Sequence, residues 1–350
     1  MKKSLQIAGA YIGLIVGAGF ASGQEILQFF TSFGIFGMLG TLVATFLFAF
    51  LGMQITQLGS DLKTISHKEV LYQICGRHLG LIVDILVTFF LFGVSVVMIA
   101  ASGSIFQQQF GMPSIVGSII MTLLTIATLC LNIKKVIYVI SSITPFLLLL
   151  IFIITGYSIF TSDASFSNLQ MAAKDYEASA PNWLLGAFLY VSYNLAAGFA
   201  MLSVIGGAVD DRKTAGKGGF IGGIGLGLFI LLINVGMFVN LDRLHGIEMP
   251  TLLIASEISP IVGDLMSLAL LGMIFNTSVG MLYAFTARFI SPKEKAFKPG
   301  VAFTGVLAFA ASFIGFITLV STVYPITGYL GFVLMITIFL SWLKKWKSKI

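Results

Sequence analysis

The sequence predicts an all-α integral membrane protein with ten membrane-spanning helices, and three observations carry that reading. The 350 residues are 57% hydrophobic and only 10% charged, where ordinary globular domains hold about 25% charged residues. Mean hydropathy is +1.01. Apolar runs of about twenty residues recur along the chain, long enough to cross a hydrocarbon core of about 30 Å.

Taken in order, the runs place spans near 5–31, 34–59, 80–106, 113–132, 136–160, 183–208, 219–240, 262–289, 301–320 and 323–343. Charge tests the count. With the N-terminus on the cytoplasmic side, all but Lys174 and Arg243 of the 20 Lys and Arg residues fall in cytoplasmic segments, as the positive-inside rule requires. Both termini are therefore expected inside a bacterial cytoplasmic membrane. The net charge of +6 follows from topology and gives no reason to expect nucleic acid as a partner. A basic "MKKS" before an apolar run also fits a secretory signal ending at "AGFA". The apolar stretch continues through "EILQFF", and the chain needs a first span to fix its orientation.

Spans one to five (5–160) and six to ten (183–343) form two halves of one transmembrane domain covering 1–350. The 161–182 loop separates them and 344–350 forms a tail. An odd number of spans per half inverts the second half relative to the first, the plan of inverted-repeat transporters. The outside loop 161–182 is polar and acidic. The loop 241–261 holds a short apolar run between Pro250 and Pro260, which suggests a re-entrant or surface-lying helical hairpin, a candidate lid. The inside loop 60–79 suits a short amphipathic helix around "KEVLYQIC".

The first span contains "VGAGFASGQE" at 16–25, with Gly17, Gly19 and Gly23 followed by Gln24 and Glu25. Each glycine costs a helix about 1 kcal/mol relative to alanine, and a buried carboxylate costs more. The sixth span carries a matching interruption, "YVSYNLAAGFAMLS" at 190–203. Paired interruptions in opposite halves point to a substrate site, because an unwound span frees backbone groups that hydrocarbon cannot satisfy. A half-helix restarting near Ala21 would aim N–H groups at a carboxylate, and carbonyls near Gly13 and Val16 would suit a small cation. Close helix packing through small residues is the competing explanation of these glycines.

"GLIVGAGF" (13–20) resembles the first-helix glycine motif of leucine-transporter (LeuT) fold proteins of the amino acid–polyamine–organocation superfamily. "FNTSVG" (275–280) resembles the Thr-Ser pair that helps bind sodium in sodium-coupled members. The chain is also similar to largely uncharacterised bacterial proteins described as putative amino acid permeases. The resemblance implies a sodium site from the carbonyls of Gly13, Val16 and Ile274 with the hydroxyls of Thr277 and Ser278. The hydroxyls could instead bond their own helix backbone. Substrate would sit against Gly17, Ala18, Gly19 and Ala21 on one side and Ser192, Tyr193, Asn194 and Gly198 on the other. Membrane depth alone adds Phe92, Ser95, Val96 and Ile99, with Phe188 and Phe199 as further lining.

An ionisable residue inside a span is a functional hypothesis by default. Glu25 is thus a candidate proton carrier or outer gate, with structural pairing as the alternative. Asp84 near a span end reads as an interfacial, solvated group. Some proton-coupled relatives carry a lysine within the fifth span; here Lys134 and Lys135 stand at its mouth, and Ser141, Ser142 and Thr144 lie deeper, a departure that favours sodium. "GKGGFIGGIGLG" (216–227) lacks P-loop spacing and reads as packing pairs Gly218/Gly222, Gly219/Gly223 and Gly223/Gly227. Cys75 and Cys130 fall on the reducing side. His67, His78 and His245 stand apart in loops, so no enzyme and no cofactor is expected beyond a coupling Na+ or H+. The sequence thus reads as an ion-coupled permease for a small zwitterionic solute, an amino acid first, working by alternating access. An amino-acid-sensing receptor subunit of the same fold, or a carrier of a nucleobase or amine, is the alternative.

Overall fold

The computed structural model describes residues 2–63, 67–131, 143–162 and 165–347, omitting the side chains of 18, 67–75, 77–79, 81–84, 86, 131, 143, 144, 200 and 344–347. Among the described residues every regular element is helical. The first predicted span is divided into α1 (Lys2–Ile15), α2 (Ala18–Ser22) and α3 (Gln24–Phe29). There follow α4 (Ile35–Leu62), α5 (His67–Phe110), α6 (Ser114–Leu131) and α7 (Ile143–Thr161), then the loop helix α8 (Phe166–Ala172). The second half holds α9 (Trp183–Gly207), α10 (Arg212–Phe238), the loop helix α11 (Pro250–Ile258), α12 (Pro260–Phe289), α13 (Phe297–Ser312) and α14 (Phe316–Lys347).

Five described helices or helix segments are long and apolar enough to cross a membrane: Ile35–Leu62, Val87–Phe110, Arg212–Phe238, Pro260–Phe289 and Phe316–Leu343. α9 makes a sixth when its two arms, Trp183–Phe199 and Met201–Gly207, are taken together across a 57° bend. The sequence placed an interruption at 190–203; the chain bends there and stays helical. Ser114–Cys130, Pro145–Thr161 and Phe297–Ser312 are shorter apolar helices. The fifth predicted span starts within 132–142, so Lys134, Lys135, Ser141 and Ser142 lie outside the described residues.

Helix ends follow local chemistry. Asp211 caps α10, accepting from the backbone N–H groups of Lys213 and Thr214 at 3.1 Å each, and Asn182 caps α9 through Leu185 N–H at 2.9 Å. Ser259 accepts from Val262 N–H (3.2 Å) and Pro260 follows at the first helical position of α12. The ninth and tenth spans, expected at 301–320 and 323–343, divide earlier than the apolar pattern suggested. Gly315 adopts φ +96, a left-handed conformation that glycine alone enters freely, whereas Pro325 sits inside α14 without ending it. α5 starts at His67, so the inside loop does hold a helix, broken at Gly76.

α10 is the axle of the bundle, and its glycines explain why. Gly219, Gly223 and Gly227 lie on one face, where an added Cβ would overlap Gly52, Ala49 and Thr45 of α4. Gly218 and Gly222 lie on another, against Ile7 and Tyr11 of α1. The predicted packing pairs are thus two seams on one helix, letting backbones approach as small residues do in membranes. Tyr11 donates from its hydroxyl to the Phe48 carbonyl at 3.2 Å, and Ser4 to the Thr214 carbonyl at 3.1 Å. At one end of the bundle Arg212 meets Asp61 at 3.3 Å and Gln57 at 3.2 Å.

Gly223→Val overfills the α4 seam and should cost about 1–3 kcal/mol, whereas Gly9→Ala, which meets nothing within 4 Å, should be neutral or stabilise by up to about 1 kcal/mol. Thermal unfolding in detergent checks both. The Asp211 carboxyl is held below its ordinary range, first by the Thr214 hydroxyl and then by Lys213 N–H. Its capping contribution is therefore present above about pH 4 and lost as pH falls through the lowered value. Asp211→Asn should flatten that acid limb in a pH series of melting temperatures.

Candidate functional site: the twice-broken first span

Gly17 is extended (φ −105, ψ −174) between α1 and α2. Val16 N–H still reaches the Ile12 carbonyl at 2.8 Å, but the chain then leaves the helix. The carbonyls of Gly13, Leu14 and Ile15 lose their partners four residues on. The sequence anticipated this break. It did not anticipate the second one, six residues later, where Gly23 takes φ +81. α2 is therefore a five-residue turn rather than the start of a long half-helix, and its dipole is correspondingly small.

Both ends of that turn are tied down. The Ser22 hydroxyl donates to the Gly19 carbonyl at 2.9 Å. The Ala21 carbonyl accepts from Thr251 Oγ1 at 2.6 Å, which pins α11 over the break. α11 is a single buried helix that doubles back at Ser259, so that Gly263 meets Ser256. Gln108 fixes its start through two bonds to Met249, at 2.9 and 3.0 Å. The region expected to form a helical hairpin is thus α11 folded onto the head of α12. The other long loop also reaches the broken span: Ser179 N–H donates to the Gln28 carbonyl at 3.0 Å, and its hydroxyl to Gln28 Oε1 at 2.8 Å. Tyr176 donates to the Leu241 carbonyl, joining the two outer loops, and burial pushes its phenol up to about 12.

The unwound stretch opens on a cavity of about 320 Å³. Gly13, Val16, Gly17, Gly19, Glu25, Tyr193, Asn194 and Thr277, all expected at the site, line it together. Glu25 is only 5% exposed. Its Oε2 accepts from the Tyr193 hydroxyl at 2.5 Å, and Tyr324 lines the same cavity. The two phenol rings stack, 4.8 Å apart and 11° from parallel. Thr277 stands across the cavity, 4.0 Å from where a Cβ on Gly17 would lie. Asn194 uses its amide nitrogen on the Tyr190 carbonyl at 2.9 Å.

Other expected residues lie elsewhere. Ser192 donates to the Gly328 carbonyl at 2.7 Å and packs on α14. Gly198 meets Leu14 and Ile15, so it serves packing. Ala21 is fully buried and contributes its carbonyl to the lid; Ala18 opens α2. On α5 the cavity takes Phe90, Val94 and Met98, one stripe at four-residue spacing. Phe92 faces away onto Phe285, with ring centroids 5.0 Å apart. Val96 and Ile99 are buried, and Ser95 bonds its own helix at the Leu91 carbonyl, 3.0 Å. The stripe of α5 that lines the cavity is thus offset round the helix from Phe92 and Val96. Ile274 and Ser278 are buried and outside the cavity lining, and the Ser278 hydroxyl accepts from Thr125 at 3.1 Å. No group of His, Cys, Asp and Glu suited to a metal exists among the described residues. Tyr324 and Asn276 were missed, though Asn276 lies within the "FNTSVG" motif itself.

With this geometry in hand, comparison with known proteins is informative. No family model matches the sequence. An uncharacterized membrane protein of Bacillus subtilis, YkvI, is 29% identical over 332 residues, 93% of this chain and 92% of its own. Among solved structures, MhsT in complex with L-phenylalanine superposes with a TM-score of 0.62 at 16% identity, over 93% of this chain and 87% of MhsT. A Na+-coupled sialic acid symporter, substrate-bound and outward-open, gives 0.60 at 15% identity, over 95% and 78%. The chain is a multi-pass membrane protein with the LeuT fold. These solved proteins are transporters rather than enzymes.

Thr251→Val removes the bond to the Ala21 carbonyl and leaves that carbonyl unpaired, at about 1–3 kcal/mol. In a variant lacking Cys75 and Cys130, Ala21→Cys should then label faster with a water-soluble thiol reagent; an unchanged rate would mean that the bond does not hold the lid.

Proposed function

We propose that this chain is an ion-coupled secondary transporter for a small zwitterionic solute, an amino acid first among candidates, working by alternating access. It is built as ten spans in two inverted halves within a bacterial cytoplasmic membrane, both termini inside. One observation carries the reading: the first span is unwound at Val16–Gly17, and its freed carbonyls face a cavity shared with Glu25, Tyr193, Asn194 and Thr277. Unwound backbone at membrane depth persists where it lines a polar cavity, and such breaks hold cargo and coupling ions in transporters. A cavity of about 320 Å³ lies at the small end of ligand sites, which suits a solute of amino-acid size.

The cavity reaches surface beside Gly13, Met201 and Gly280, which are exposed, while α11 covers the opposite end. One end open and the other latched is the arrangement alternating access requires. A sodium ion would rest on the carbonyls of Gly13 and Val16 with the Thr277 hydroxyl, and would recruit Ser278 only if its bond with Thr125 opened. MhsT holds L-phenylalanine and the sialic acid symporter is Na+-coupled; that supports ion-driven transport here.

The purified protein in liposomes should accumulate an amino acid when an inward sodium or proton gradient is imposed. Thr277→Ala combined with Ser278→Ala should abolish any sodium dependence at least tenfold below wild type, and retained dependence would move the ion elsewhere. Binding without uptake would instead favour a sensor subunit.

A further inference from the structure

Glu25 stands alone in charge. Among the described residues lining the cavity it is the only carboxylate, and no lysine, arginine or histidine accompanies it. Tyr193 supplies a hydrogen bond and Tyr324 stacks on its ring, but neither brings positive charge. A carboxylate removed from water without a counter-charge is costly, so either a proton or a cationic group completes the site.

A second source of negative potential faces the same space. α1 is a fourteen-residue helix whose C-terminal residues Gly13, Leu14 and Ile15 line the cavity. That is the negative end of its dipole. Gly19 adds a third observation. Its backbone is helical and needs no glycine, yet an added Cβ would collide with Oε1 and Cδ of Glu25. The glycine keeps a seat for the carboxyl. Opposite, Phe90, Val94 and Met98 offer hydrocarbon.

We propose that Glu25, framed by Tyr193 and Tyr324 and seated on Gly19, is the subsite for the ammonium group of the cargo, so that a primary amine with a small apolar tail is the recognised unit. The inference rests on the transporter reading and narrows it: the amino group is indispensable and the carboxylate is not.

Matched solutes test this on the full-length protein in detergent. L-leucine, isoamylamine and 4-methylpentanoate form one set; L-phenylalanine, phenethylamine and 3-phenylpropanoate another; L-serine, ethanolamine and 3-hydroxypropanoate a third. Ligands that bind the folded state raise its melting temperature by mass action. Within at least one set the amine and the amino acid should stabilise while the acid does not. Glu25→Gln, of the same shape, should weaken that binding about tenfold or more, and Gly19→Ala should do likewise with Glu25 intact. Unliganded melting temperature and gel-filtration profile confirm that both variants fold. If the acid binds as well as the amino acid, or Glu25→Gln binds unchanged, the ammonium subsite is wrong while a transporter with bound cargo stands. Stabilisation by sodium alone that Glu25→Gln abolishes would give the carboxyl to the ion and overturn the proposal. Silence from every solute overturns both readings together.

Discussion

Inside a bilayer a backbone amide has no water to turn to, and that constraint governs this molecule. A continuous helix satisfies it automatically. The first span gives up that solution at Gly17 and again at Gly23, and much of the surrounding structure answers for the loss. Thr251 reaches in from α11 to take the Ala21 carbonyl. Ser22 bonds the Gly19 carbonyl, and Ser179 from the distant 161–182 loop takes the Gln28 carbonyl. The carbonyls before Gly17 are left to the cavity.

Around this span the packing is conventional. α10 presses its glycines into α4 on one side and α1 on the other, which wedges it between the broken first span and the helix that follows. The broken segment is thus mounted on a stiff frame. Rigid scaffolds carrying a locally irregular element are common where binding must be accurate.

What the sequence disclosed, and what it withheld, divides along physical lines. Hydrophobic length and charge alternation were enough for the helical class and for most helix positions, because each is a sum over many residues. The break at Gly17 was legible because glycines and a carboxylate are too costly at that depth to be incidental. The second break at Gly23 was hidden: one glycine in a run of small residues does not announce a left-handed φ. The rotation of α5 was hidden too. A uniformly apolar helix has no polar face to fix its register, so Phe92 and Val96 could not be told from Phe90 and Val94. The bond that Ser278 accepts from Thr125 was hidden for a related reason, since a hydroxyl can pair with any of several neighbours. Tyr324 was invisible because its place in the cavity depends on stacking against Tyr193 from the far end of the chain.

The double break has a mechanical meaning. Five residues between two swivels form a rocker about 7 Å long at the helical rise of 1.5 Å per residue. One arm, Gly19, rests on the carboxyl of Glu25; the other, Ala21, is hooked to the lid. The carboxyl in the cavity and the hook to α11 thus lie within one turn of each other, with no long chain of intermediates between them.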